Sequence, residues 1–189
     1  MNLQHGLLIL VFQVFCYIDS YAQSPMQNPS LKVIIIRHAE NPLKGDNLSC
    51  QGLNRSIQLP PVLYSKFGIP NFAYVPAIGR GPATKHARMF QTIVPMSIEY
   101  NLKINSNYDE NDSTNIASEI KSKNGTVLIV WDHKAIPSIV RALGVAGFYL
   151  KWSEEDFDSI WIVTFTNGRA IFSADKEGLS PGLKCPGTE

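Results

Sequence analysis

The sequence has almost no excess charge and no run of it. Its 17 basic and 16 acidic side chains leave a formal net charge of +1. No stripe of Lys or Arg forms, which excludes the electrostatic footprint of a nucleic-acid-binding chain. Long apolar runs are equally scarce. Only residues 7–18 are apolar nearly throughout, broken by Gln13, and this run is shorter than the ~20 residues a bilayer span needs. Cysteine is rare too, at three positions, Cys16, Cys50 and Cys185. There is no internal repeat, no low-complexity tract and no linker that would divide the chain. A length of 189 residues suffices for one well-buried domain, here residues 31–189, and not for two ordinary ones.

The one apolar run is followed by the small residues Ser20 and Ala22 at the spacing a signal peptidase reads, although residues 1–6 carry no Lys or Arg. We therefore expect residues 1–22 to be a signal peptide cleaved after Ala22, with a secreted or periplasmic product and no stable membrane insertion after cleavage. The bulky Phe15 before Cys16 does not suit lipidation. Export would leave Cys50 and Cys185 as a pair in an oxidising compartment, where a single disulfide can form. Tripeptides starting at Asn47, Asn54, Asn111 and Asn124 match the glycosylation acceptor pattern, a cheap match in an Asn-rich chain.

Residues 33–36 are four consecutive β-branched residues, and residues 126–131 are a second unbroken apolar run; both read as strands buried on two faces. Ser49 is placed to cap a helix carrying Leu53, Ile57, Val62, Leu63 and Phe67, with Pro60 and Pro61 inside it and Gly68 at its end. Short strands are expected at 72–75 and 102–104. Helices are expected from Thr84 to about Met96, from a Ser113 cap to about Lys123, and from Pro137 to Gly144. Residues 159–165 and 169–173 flank Asn167-Gly168 and form a hairpin. Apolar strands alternating with helices imply a three-layer α/β/α sandwich, with a mainly parallel sheet and a late antiparallel hairpin.

Sheets of this kind gather ligands at the carboxyl ends of their strands. Two of the four histidines stand there, His38 after the first strand and His133 after the fourth. Singly, a His just beyond a strand is more often a hydrogen-bonded loop residue than a catalyst; the pairing at equivalent positions changes that. The segment Ile36-Arg37-His38-Ala39-Glu40 resembles the Arg-His-Gly signature of the histidine phosphatase superfamily, with Ala for Gly. Leu48-Ser49, Gly52 and Arg55-Ser56 resemble that family's first helix. Thr84, Arg88, Gln91 and Thr92 resemble its second-arginine helix, and Val130-Trp131-Asp132-His133 its second-histidine segment.

The resemblance implies a metal-independent phosphatase needing no cofactor, acting on a small phosphorylated substrate. Arg37 and Arg88 would bind phosphate as forked donors, His38 would attack phosphorus, and His133 would be a second donor to the phosphate. For the acid that protonates the leaving group we select Asp132, held at the end of a buried strand, over Asp109 and Glu110 in a polar loop. Zinc on His38 and His133 is discounted, since no third ligand stands out at short spacing. His86 reads as a surface or pocket-rim residue, the acidic residues Glu154, Glu155, Asp156 and Asp158 as a solvated turn, and Cys50 as no nucleophile. The alternative function is a non-catalytic phospho-ligand-binding domain on the same fold. Substrate and oligomeric state are not legible.

Overall fold

A computed structural model describes residues 31–79, 81, 84–147 and 149–187. The expected signal peptide and its cleavage point lie outside the described residues. Both unbroken apolar runs form central strands. They are β1 (Lys32–Arg37) and β4 (Thr126–Trp131), paired in parallel with Ile36 opposite Val130 and Arg37 opposite Trp131. Between them in sequence lie α1 (Cys50–Phe67), β2 (Phe72–Pro76), α2 (Ala87–Tyr100), β3 (Ile104–Tyr108) and α3 (Ser113–Lys121). After β4 come α4 (Ile136–Ala142), β5 (Ser159–Thr166) and β6 (Arg169–Lys176).

The six strands form one sheet in the order β3-β2-β4-β1-β5-β6. The first four in that order run parallel, and β5 and β6 add the expected antiparallel hairpin beside β1. One face packs Ile34, Leu128 and Val130 against Leu59 and Leu63 of α1 and Met89, Ile93 and Met96 of α2. The other packs Ile35, Ile129 and Trp131 against Ile116 and Ile120 of α3 and Ile136 and Ile139 of α4. The expected three-layer sandwich is present.

Several expected boundaries shift, each for a physical reason. The strand expected at 102–104 starts at Ile104 and runs to Tyr108, because it lies at the sheet's edge and needs no apolar run. The helix expected from Thr84 starts at Ala87, since Lys85 instead bridges Gly79 and His86 adopts a left-handed backbone. Asp112, not Ser113, caps α3, its carboxylate accepting from the Asn115 N–H. In α1, Ser49 is the cap and Gly68 the terminus as expected, and the helix runs through both prolines. Its buried stripe, however, is Gly52, Arg55, Ser56, Leu59, Pro60 and Leu63, while Leu53 and Ile57 face solvent at 39% and 50% exposure.

Candidate active site

Parallel pairing brings four chain segments out of the sheet at one edge: residue 38 after β1, residue 77 after β2, residues 109–110 after β3 and residues 132–133 after β4. The β1–β4 register sets the central pair. The His38 N–H donates to the Trp131 carbonyl at 3.1 Å, so His38 and Asp132 leave the sheet side by side. The chain then turns at once, with Ala135 and Ile136 N–H groups closing onto the Asp132 carbonyl. That early turn puts Asp132 and His133 on the same site, which strict strand alternation would have prevented.

His38 is 2% exposed, and its Nδ1 lies 2.7 Å from the Ala39 carbonyl. A carbonyl only accepts, so Nδ1 carries the hydrogen and Nε2 of the neutral ring keeps its lone pair. Asp132 lies between the histidines, one oxygen 3.6 Å from His38 Nε2 and the other 3.5 Å from His133 Nδ1. It also accepts the Lys134 N–H at 2.8 Å. Burial alone would raise the Asp132 carboxyl, but His38, the Lys134 amide and His133 outweigh it and hold Asp132 well below the usual carboxylate range. The His133 pKa shifts in the same direction. Burial and the nearby Arg37 lower its pKa, with Asp132 opposing.

The arginines approach from two sides. Arg37 Nη1 donates to the Glu154 carbonyl at 2.5 Å and, more weakly, toward the Ser153 and Asp156 carbonyls, while its guanidinium carbon sits 3.8 Å over the Phe157 ring. Arg88 Nη2 donates to the Gly45 carbonyl at 2.6 Å. These contacts fix each fork. Arg37 Nε, Arg88 Nε and both ring nitrogens of His133 are buried without a hydrogen-bond partner among the described residues. Buried polar groups of this kind ordinarily find an acceptor, and an anion shared by these donors would satisfy them.

His133 and Arg37 line a cavity of about 690 Å³, together with Lys134 and residues 154–158. His38, Asp132 and Arg88 line a second of about 240 Å³, together with Glu110, His86 and Lys85. Glu110 was the less favoured acid in the sequence, yet its pKa is raised, by burial first and by Asp132 next, with His86 opposing. Its loop is anchored by Trp131, whose Nε1 donates to the Glu110 carbonyl at 2.8 Å. Asp109 does not line either cavity.

Sequence reasoning missed three features. His86 lines the cavity, as a pocket-rim residue would, but its contact with Glu110 at 3.1 Å was not foreseen, its place two positions before Arg88 being the only signal that could have found it. The turn at 154–158 is not merely solvated, because its backbone carbonyls and Phe157 hold Arg37. A third partner for His38 and His133 also exists. Asp132 joins them in offering ligand atoms within 4.8 Å of one another, a set a metal ion could use. Arg37 beside His133 opposes a cation there.

No family profile and no curated protein sequence matches the chain. Solved structures do. A phosphoserine phosphatase mutant from Entamoeba histolytica, complexed with phosphoserine, matches with a TM-score of 0.54 at 12% identity, over 78% of this chain and 97% of that one. The protein histidine phosphatase SixA complexed with tungstate matches with a TM-score of 0.54 at 15% identity, over 77% and 97%. A mycobacterial glucosyl-3-phosphoglycerate phosphatase with inorganic phosphate matches with a TM-score of 0.50 at 11% identity, over 76% and 95%. The chain thus has the fold of the histidine phosphatase superfamily, the family that its Arg37-His38, Arg88 and His133 segments resemble.

Proposed function

We propose that this protein is an exported phosphatase that hydrolyses a small phosphomonoester through a phosphohistidine on His38. The observation that carries the reading is the His38 ring, tied through Nδ1 to the Ala39 carbonyl so that Nε2, 3.6 Å from Asp132, is the ring nitrogen turned into a cavity shared with Arg88 and Glu110. In the first step Nε2 bonds to phosphorus, the phosphorus–oxygen bond to the leaving group breaks, and the leaving oxygen takes a proton. In the second, water attacks phosphorus, the nitrogen–phosphorus bond breaks, and water's proton returns to the group that acted as acid. Arg37, Arg88 and His133 supply donors to the phosphoryl oxygens, and phosphate binding favours the protonated form of His133 that its surroundings otherwise oppose.

We assign the acid to Glu110 rather than Asp132. An acid must hold its proton near working pH, which the raised pKa of Glu110 supports and the depressed pKa of Asp132 opposes. Asp132 serves instead to orient the two histidines from between them. Export is supported by the sulfur–sulfur bond between Cys50 and Cys185.

The test is turnover of aryl phosphates by the purified protein, with chelator and vanadate arms. Expected are phosphate release unaffected by chelator, inhibition by vanadate, and no activity in His38→Ala. Glu110→Gln should lose ~100-fold or more on phenyl phosphate and far less on 2,4-dinitrophenyl phosphate, whose leaving group needs no proton. The same pattern in Asp132→Asn instead would return the acid role to Asp132. Loss of activity to chelator would turn the reading toward a metal on His38, Asp132 and His133, and phosphate binding without turnover toward a binding domain.

A further inference from the structure

We propose that His86 and Glu110 hold one proton jointly, His86 being the positioning residue that fixes the acid's carboxylate and takes part in reloading it. This rests on the reading of Glu110 as the acid. His86 Nδ1 lies 2.8 Å from the Ala77 carbonyl and so carries a hydrogen, which turns Nε2 toward Glu110 Oε2 at 3.1 Å. A lone pair facing a carboxylate at that distance is repulsive, so the contact needs one proton in it. That proton sits on Nε2, making an imidazolium–carboxylate pair, or on Glu110, which then donates to a neutral ring.

Three elements hold the two groups at this separation. Ala77 follows β2 and its N–H donates to the Tyr108 carbonyl at 2.7 Å, joining it to the end of β3. Glu110 follows β3, its carbonyl anchored by Trp131. His86 precedes α2 in a left-handed conformation, φ 58° and ψ 20°, which costs a non-glycine residue free energy and is found where surrounding structure enforces it. Both side chains line the cavity that contains His38 and Arg88. Asp132 and Asp109 press on Glu110 as like charges, while Lys85, Asp46 and Arg88 complete the charged lining.

The consequence for turnover follows from proton balance. Transfer to the leaving group empties the pair, and the water that attacks the phosphohistidine refills it with one proton. Because the imidazole gives that proton a second place to reside, the last proton leaves the pair at a higher pH than it would leave Glu110 alone.

The experiment combines titration and kinetics on the full mature chain. Carboxyl carbon and ring nitrogen resonances of Glu110 and His86 are followed with pH, and rates on phenyl and 2,4-dinitrophenyl phosphate are measured over the same range. In the wild type the two groups should titrate in the same coupled steps. In His86→Gln, Glu110 should titrate in a single step and the alkaline limb on phenyl phosphate should move to lower pH. The rate should fall ~10-fold or more on phenyl phosphate and less on the dinitrophenyl ester. His86→Asn keeps a residue that tolerates the left-handed backbone but is too short to reach Glu110, and should behave alike. Independent titration of the two groups in the wild type, or an unmoved limb in both variants, would overturn the proposal. Coupled titration in a wild type that turns over neither ester would uphold the shared proton and sink the phosphatase reading alone.

Discussion

Arg55 is a charged residue with almost no water around it. It is 5% exposed, donates through Nε and Nη2 to Glu40 at 2.8–3.0 Å, and through Nη1 to Glu177 at 2.5 Å. One guanidinium cannot fully compensate two buried carboxylates. Burial pushes the Glu177 carboxyl up from 4.5 to about 8, with Arg55 pulling it down and Asp158 and Glu40 adding to the rise. The folded chain therefore keeps a proton that the unfolded chain releases near the ordinary carboxylate value. The stability this confers is complete below about 4.5 and is lost as pH rises toward about 8. Glu177→Gln keeps an acceptor for Arg55 and cannot ionise, so its urea stability should fall less between pH 5 and pH 8 than that of the wild type. An equal fall in both would place the slope elsewhere. Glu40 and Arg55 stand inside segments that resemble the family's, so two of the three partners were visible in sequence. Glu177 was not, because its approach depends on a contact spanning 122 residues. His86 escaped for the same reason, its partner being set by the ends of three strands.

At the level of elements, the first turn of α1 bears directly on the segment that carries His38. Gly52 lies so close to the strand-end segment at 38–40 that a Cβ would collide with the Glu40 backbone carbonyl. Ser49 fixes the same junction: its N–H and Oγ both donate to that carbonyl, and its Oγ caps Gly52. Gly52→Ala should therefore push α1 and His38 apart, costing ~1–3 kcal/mol of stability and lowering the rate with good and poor leaving groups alike. Chemical denaturation with the two-ester assay checks it, and wild-type values for both would show that the helix yields. The elements most legible in sequence were those with nothing to do but be buried, β1 and β4. The misread ones are those with another task. The buried stripe of α1 begins with Gly52, Arg55 and Ser56, none of them apolar in side chain, so the apolar pattern pointed at Leu53 and Ile57 on the wrong side. β3 is polar because an edge strand is free to be, and its polar residues are the approach to Glu110.

For the whole molecule, parallel strand order does the assembling: residues 37–38, 77, 109–110 and 132–133 converge because their strands end at one edge. This convergence explains why the fold and the chemistry-bearing motifs could be read from sequence while the division of labour among the acids could not, since that depends on which carboxyl ends up beside which ring. The cysteine pair works at the same scale. Cys50, at the start of α1, is bonded to Cys185 in the carboxyl tail, a separation of 135 residues. The tail is further held by Asn54, whose side-chain amide donates to the Gly182 and Lys184 carbonyls at 2.7 Å. Replacing both cysteines by serine should lower stability by ~2–4 kcal/mol; identical unfolding midpoints with and without reductant would show that the bond adds nothing. The bond also makes a covalent ring of everything from Cys50 to Cys185, so that Arg88, Glu110 and His133 lie on its circumference. A protease that cuts the exposed acidic turn at 153–155 opens this ring without dividing the molecule, and the hairpin β5–β6 stays leashed to the sheet it completes. The chain can thus be nicked once and still be one molecule, until a reductant reaches it.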